Sequence, residues 1–347
     1  VTNNAFFRCF DIKTLPDRFK NGVVAIGNFD GVHRGHQVVL NSALSRARQL
    51  ECPALVLTFE PHPRSVFEPE TILNRLTSAD EKAEIFKLMG FDCVIEQCFT
   101  HEFAAQTAED FIETLIVGEL AARAVVTGYD FHFGAKRAGS PAFLQREGAR
   151  FAFEVIVVEP YKNAKGEVVS STFIRSLLTK GSVDEAAELL GYRYTITSEV
   201  IHGAQLGRKL GFPTANMRFP QSFNFAYGIY AVRFRRADSK LYDGVASFGQ
   251  RPTVDEAGVP LLETYLFDFS GDLYGEKAAV SFFKFLRHEQ KFPTLEALVK
   301  AMEQDSSQAK IALDLSRPLS AIDRSLTFSD QSSVDLMVTS QDRQNRL

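Results

Sequence analysis

This chain of 347 residues has no tryptophan, only four cysteines and seven histidines, and no surplus of positive charge. Each shortage removes a class of function. A net charge of −4 argues against a general nucleic-acid binder, which carries a basic excess to neutralise phosphates. Cys9, Cys52, Cys93 and Cys98 all fall in the first third of the chain, form no Cys-x-x-Cys pair and have no histidine cluster beside them. Neither a zinc site nor a disulfide framework is expected, and reduced thiols in a cytoplasmic protein are the default. No apolar run approaches the length of a bilayer span. Val1-Thr2-Asn3-Asn4 does not resemble a signal peptide. No GxxxxGK[ST] loop is present. The expected partners therefore include no nucleic acid and no membrane. The rest, 45% hydrophobic and 24% charged, is ordinary for a globular protein long enough for two domains.

Two of the seven histidines stand together in Val23-Val-Ala-Ile-Gly-Asn-Phe-Asp-Gly-Val-His-Arg-Gly-His36. Val23–Ile26 reads as a buried strand, Gly27 ends it, Asp30-Gly31 makes a turn, and helical periodicity runs from about Gln37 to Leu50. A strand feeding a helix through a glycine-bearing loop presents helix N-terminal amides, which suit phosphate. Two imidazoles there can donate to phosphate oxygens as charge develops. The plainer alternative is a strand–turn–helix with incidental histidines.

The first half goes on alternating strands and helices. Ala54–Phe59 is a second buried strand, followed by a Glu60–Pro63 loop that its prolines require. Ser78–Glu81 is a capping box for a helix ending at Gly90. Asp92–Ile95, Ala124–Thr127 and Phe153–Val158 are further strands, and a helix runs from the Thr107–Asp110 cap to about Val117. This pattern implies a doubly wound parallel α/β sheet whose ligands bind beyond the carboxyl ends of its strands. Candidate segments are thus Gly27–His36, Glu60–Pro63 and Gly128–Gly139, with Asp130 suited to ribose or base and Lys136 and Arg137 to phosphate. Ser170-Ser-Thr-Phe-Ile-Arg175 puts three hydroxyls and a guanidinium at a helix start. Singly, each has a bland explanation: an N-cap, a surface charge, a stiff loop. Together they describe one triphosphate site.

After a helix capped by Ser182–Glu185 and ending before Gly191 the pattern changes. Tyr194–Ile201, Gly228–Phe234, Leu241–Ala246, Leu262–Phe267 and Ala278–Leu286 are closely spaced strands, the signature of a small antiparallel barrel, closed by a helix from about Thr294 to Ala312. Boundaries are therefore expected at 1–190, 191–316 and a polar, loosely held tail at 317–347. The barrel opens with Gly203-Ala-Gln-Leu-Gly-Arg-Lys-Leu-Gly-Phe-Pro-Thr-Ala-Asn216. Its glycines permit close backbone approach to a ligand, and Thr214 and Asn216 offer oxygens suited to Mg²⁺ shared with phosphate. A plain glycine-rich β-turn explains the segment equally well.

Two sets of residues carry a resemblance. Gly27–His36 resembles the HxGH nucleotidyltransferase signature, in the form found in the bacterial bifunctional riboflavin kinase/FAD synthetase family. Phe59-Glu-Pro-His-Pro63, Gly128–Gly134 and Ser170–Arg175 are similar to further stretches of that family, the last to its counterpart of the KMSKS segment. Gly207–Asn216 is similar to the flavokinase core GRxLGFPTAN, with further likeness at Gly228-Ile-Tyr230, Gly249–Thr253, Leu262-Glu263, Asp272–Gly275, Leu286-Arg287 and Lys291-Phe292. Departures occur at Ser247-Phe248-Gly249, where many relatives read Asn-Ile-Gly, and at Tyr265, where they often carry His.

The resemblance implies a fold, an HxGH-type sheet followed by a flavokinase barrel with a C-terminal helix. It implies phosphorylation of riboflavin to FMN by ATP, then adenylylation of FMN to FAD with release of pyrophosphate. It implies Glu263 as general base and His33, His36 and Arg175 as stabilisers of the ATP phosphates. ATP and flavin binding would fall to Gly27, Asn28, Phe29, Asp30, His62, Asp130, Arg137, Ser170, Ser171, Thr172, Gly207, Arg208, Gly211 and Arg287, and Mg²⁺ to Thr214 and Asn216. Substrates and products would be ATP, riboflavin, FMN and FAD, with oligomerisation left open. A tRNA-synthetase-like ligase would need a basic surface, and a flavin-sensing module would not need the whole catalytic set.

Overall fold

The computed structural model describes residues 5–71, 74–203, 211–218, 224–250 and 260–329. The chain divides into two units, Val1–Ser171 and Thr172–Leu347.

The first unit is built on a six-stranded sheet with every neighbouring pair parallel, in the order β1 (Phe7–Cys9), β4 (Cys93–Cys98), β3 (Ala54–Glu60), β2 (Val23–Ile26), β5 (Ala124–Gly128), β6 (Glu154–Val158). All of β2 and nearly all of β3 are buried, so both read as continuous apolar runs. From β2 the chain builds outward to β3 and β4, then returns to add β5 on the other side of β2. The gap between β2 and β5 is therefore the topological switch point, where a crevice opens at the strand ends.

Helix α1 (Arg34–Leu50) follows β2, with His33 as its N-cap. The prolines end β3 as expected, but Pro63 also begins a short helix, α2 (Pro63–Phe67), because proline's fixed φ suits a first helical position. Helix α3 (Ala79–Met89) has the anticipated Ser78/Glu81 capping box and ends on Gly90 at φ +93°. Thr107 caps α4 (His101–Ala104)'s successor α5 (Ala108–Asp110), after which Phe111–Glu119 winds as a π-helix. Helix α6 (Pro141–Phe151) packs on β6. Edge strand β1 was not anticipated, since three residues are too few to show a period.

The second unit begins within α7 (Ser171–Thr179) and continues through α8 (Val183–Leu190), which packs on strand β12 (Lys277–Arg287). Ser182 precedes α8 without a side-chain cap bond. The antiparallel barrel closes in the order β10 (Leu241–Gln250), β11 (Pro260–Leu266), β8 (Thr214–Arg218), β7 (Thr195–Ile201), β12, β9 (Gly228–Arg235). Strand β8 stands where the sequence suggests a glycine-rich turn. Ala215, Asn216 and the preceding Pro213 are poor strand formers, and pairing with β11 and β7 holds the segment extended. Helix α9 (Leu295–Asp314) lies on β9, β10 and β12.

The polar tail expected from Arg317 is corrected in its described part, 317–329, which holds helix α10 (Ala321–Thr327). Polarity misled there because Asp323 is fully buried and bonded, accepting from the backbone of Arg193 (2.9 Å), from its guanidinium, and from Leu319 N (2.9 Å). Arg233 and Arg235 donate to the terminal carbonyls of α10, at Thr327 (2.8 Å) and Leu326 (2.9 Å). Residues 330–347 lie outside the described set, as do Gly207 and Arg208.

Candidate active sites

The loop that links β2 to α1 is held from several sides. The Asn28 carbonyl accepts from Thr58 Oγ1 (3.2 Å) and Lys82 Nζ (3.3 Å). The Asp30 carboxylate accepts the amides of Leu76 (2.9 Å) and Thr77 (3.2 Å), and Gly31 N donates to Thr77 Oγ1 (2.9 Å). Gln37 Nε2 donates to the Val32 carbonyl (2.8 Å), and Ser171 Oγ to the Asp30 carbonyl (2.9 Å). These contacts hold an unusual backbone. Phe29 (φ +48°) and Val32 (φ +32°) are non-glycine residues in the left-handed region, each costing about 1–3 kcal/mol. Asp30, a sequence candidate for nucleotide binding, is thus buried and bonded to the loop's own support. Phe29 packs edge-on to His36 at 5.4 Å.

The two histidines stack at 3.6 Å between centroids. His33 Nδ1 accepts from His36 N (3.3 Å) as the cap of α1, so the proton of a neutral ring resides on Nε2. His36 Nδ1 is buried and makes no hydrogen bond among the described residues. Burial first, then the neighbouring His33 imidazole and the Lys82 ammonium, hold His36 well below the usual histidine range. It is a neutral imidazole at physiological pH. Gly35 makes this arrangement possible, since a Cβ there would stand 3.1 Å from the His33 ring and 3.5 Å from the Val169 carbonyl.

Behind the loop lies a charged network that reading the sequence missed. Glu60 takes both guanidinium nitrogens of Arg75 (2.8 and 2.6 Å) and Lys82 Nζ (2.8 Å). Burial pushes the Glu60 carboxyl up, but Arg75 and Lys82 outweigh it and hold it below the usual range. Burial lowers Lys82 despite Glu60. A signal was available: Lys82 shares a helical face with Ile85 and Phe86, an apolar stripe where lysine is out of place.

The remaining candidates of this unit sit in surrounding loops. His62 caps α2, its Nδ1 accepting from Arg64 N (3.2 Å). Asp130 is exposed after β5, and a Cβ on Gly128 would be 3.2 Å from its carboxylate. Lys136 (φ +53°) and Arg137 (φ +59°) form an exposed left-handed pair. A Cβ on Gly27 would meet the Phe29 ring at 3.0 Å. Ser170 and Ser171 stand at the start of α7, where the first unit ends; Thr172 and Arg175 follow on that helix, in the second.

In the barrel, register brings the candidates together. Glu263 on β11 pairs with Asn216 on β8 to one side and Ser247 on β10 to the other, and Tyr265 pairs with Thr214. Asn216 is buried and its Nδ2 donates to the Thr214 carbonyl (3.2 Å). Gly203 forms a cradle there, since a Cβ would lie 2.6 Å from Asn216 Oδ1. A Cβ on Gly211 (φ +86°) would meet nothing within 4 Å among the described residues. The Arg287 guanidinium is held by the buried Asp305 of α9 through two bonds (2.8 and 2.7 Å) and lies over Phe292. Asp305 was missed, though an acid between Ala301 and Ala309 on a buried stripe marks it. Glu289 was missed as well. Its carboxylate fills the space a Gly249 side chain would take, and burial, then the charge of Glu263, push its carboxyl up. No group of three or more His, Cys, Asp or Glu able to hold a metal occurs among the described residues.

Comparison with known proteins agrees with this division. A family described as FAD synthetase matches residues 15–173, and one described as riboflavin kinase matches 190–313. A bifunctional riboflavin kinase/FMN adenylyltransferase from Haemophilus influenzae is 40% identical over 83% of this chain and 92% of its own length. The Escherichia coli K12 protein of that description is 37% identical over 85% and 94%. A solved structure from Streptococcus pneumoniae, described as a macrolide-efflux protein, aligns with a TM-score of 0.79 at 30% identity, over 90% of this chain and 99% of that one. Among the described residues, no helix is long and apolar enough to cross a membrane.

Proposed function

Because this chain belongs to the bifunctional riboflavin kinase/FMN adenylyltransferase family, we infer that it performs two displacements at phosphorus. The barrel transfers the γ-phosphoryl of ATP to riboflavin, giving FMN and ADP. The sheet unit then joins FMN to the AMP moiety of a second ATP, giving FAD and pyrophosphate. The observation that carries this reading is that one family match covers the sheet candidates from Gly27 to Thr172 and the other covers the barrel candidates, with Arg175 between the two. The functional boundaries we propose are 1–190 and 191–316, with α10 beyond them bracing the barrel without entering its site.

In the kinase step Glu263 takes the proton of the ribityl 5′-hydroxyl as its oxygen attacks the γ-phosphorus, a role open to a half-buried carboxylate beside a nucleotide site. Thr214 and Asn216 provide hard oxygens in the cradle left by Gly203, a fit for Mg²⁺ shared with phosphate. When bound, that ion offsets charge on the transferring phosphoryl group. Arg287, oriented by Asp305, and the glycine-rich segment with Gly207, Arg208 and Gly211 serve flavin and nucleotide.

In the adenylyl transfer step an FMN phosphate oxygen attacks the α-phosphorus and pyrophosphate leaves, so no side-chain nucleophile is needed. His33 offers Nε2–H to developing charge, His36 acts as a neutral partner, and Ser170 and Ser171 add phosphate contacts, while the roles of Thr172 and Arg175 at the phosphates rest on the family resemblance. Gly27, Asn28, Phe29, Asp30, His62, Asp130 and Arg137 bound or support the nucleotide and flavin positions. A cytoplasmic location is part of this proposal, supported by four free thiols. The test is incubation with riboflavin, ATP and Mg²⁺ and chromatography of the flavins. FMN followed by FAD is expected. Unconverted riboflavin on a folded protein would leave only a flavin-binding module.

A further inference from the structure

We propose that Lys82 is a positioning residue for adenylyl transfer: its buried ammonium, by gripping the Asn28 carbonyl, fixes the loop that delivers His33 and His36. This rests on the assignment of that transfer to the sheet unit. Lys82 is 2% exposed, and its Nζ reaches three oxygens, Glu60 Oε1 (2.8 Å), Thr58 Oγ1 (3.2 Å) and the Asn28 carbonyl (3.3 Å). It stands at the carboxyl ends of β2 and β3, on the side of the sheet where ligands bind.

Stability does not explain a lysine at this place. Burying an ammonium costs several kcal/mol before any attraction is counted, and an apolar residue of similar size is often as stable or more so. Glu60 would not be orphaned without it, because Arg75 grips both carboxylate oxygens. What Lys82 alone supplies is a charge-assisted bond to the peptide preceding Phe29, the first left-handed residue of the loop. Thr58 reaches the same carbonyl, but as a neutral donor. A backbone with two left-handed non-glycine residues relaxes unless it is held from outside. Relaxation there moves both imidazoles, because His33 caps α1 and His36 stacks on it.

Lys82 also acts on His36 through its charge. The charged and titratable groups facing His36 are His33, on the same helix turn, and Lys82 from α3, with Glu60, Arg75 and Asp30 around Lys82. Removing the lysine removes one cation that opposes protonation of His36.

The experiment is Lys82→Met in the full chain, with Lys82→Gln as a second uncharged variant. For FAD formation from FMN and ATP we expect kcat to fall about 10- to 100-fold, with KM for either substrate changing less than about threefold. The acidic limb of the kcat–pH profile should move to higher pH, and FMN formation should stay at the wild-type rate. Full kcat with an unmoved acidic limb in a folded variant overturns the proposal. So does loss of the cooperative melting transition in both variants, which makes Lys82 a folding residue instead. If wild-type protein makes no FAD, the assignment of the reaction fails, and that outcome is separate from the others.

Discussion

The sheet unit and the barrel place their chemistry by different rules. In the sheet the candidate groups are on loops and helix starts, and topology alone says where to look: beyond the ends of β2, β3 and β5, at the switch point. In the barrel the candidates Thr214, Asn216, Glu263 and Arg287 are on strands, and register decides which residues meet. Glu263 faces Asn216 and Ser247 only because β11 lies between β8 and β10. A loop site is thus contiguous in the chain, as Gly27–His36 is. A strand site is assembled from distant segments and is readable only once the pairing is known. The two also differ in tolerance. A loop can be re-braced from behind, as Lys82 and Thr58 do for Asn28, whereas a barrel strand has its neighbours on both sides already committed.

The strongest way to break the comparison is Glu263→Gln. The amide keeps the shape and loses the proton affinity, so FMN formation should fall about 10² to 10⁴-fold. Riboflavin affinity, followed by flavin fluorescence, should hold, and supplied FMN should still become FAD. Near-normal FMN formation would make Glu263 a strand-edge residue only. His36→Ala is the mirror experiment. FAD formation should drop on the order of 100-fold while FMN formation stays near normal. Equal loss of both activities in a folded protein would mean that the two units do not divide the work as described.

Two further tests concern stability. Asp323→Ala strips the buried Arg193 of its carboxylate and should destabilise the barrel unit by about 3–5 kcal/mol, read by urea unfolding. Unchanged unfolding would show that α10 does not support the barrel. The smallest effect is a pH dependence confined to the sheet unit. His36 is held below its unfolded value of about 6.5, so the unfolded chain binds its proton first as pH falls. Stability contributed by this group is therefore complete above that value and declines as pH drops from it toward the lowered folded value. Melting curves between neutral and mildly acidic pH should show this slope in wild type, and His36→Gln should flatten it. An unaltered slope would exclude His36 as its source.

Much of the sheet unit was legible beforehand because its signals are local. Buried apolar runs gave β2 and β3, a capping box gave α3, and the Gly27–His36 string marked the candidate site as one contiguous loop. Thr214 and Asn216 were candidates from their own oxygens beside the glycines, whereas Glu263 was pointed to by likeness to a known family, and spacing could not have joined the three. What escaped was whatever depends on long-range partners. Strand β8 has poor strand formers held extended by β11 and β7, and α10 is a polar segment anchored by Arg193, Arg233 and Arg235. The Glu60–Arg75–Lys82 network escaped for the same reason. Glu60 on a strand and Arg75 in a loop look solvated until the fold closes around them, and only Lys82, on an apolar stripe, hinted at the network.

The anchoring of α10 sets a lower limit on where the kinase half can be trimmed. The riboflavin kinase match stops at residue 313, yet Arg193, packed over Phe283 and Phe328, finds its counter-charge at Asp323. A fragment ending with the match would enclose a bare guanidinium and uncover the aromatic floor that Phe328 shares with Phe283. The self-sufficient barrel is therefore longer at its C-terminal end than the match that identifies it.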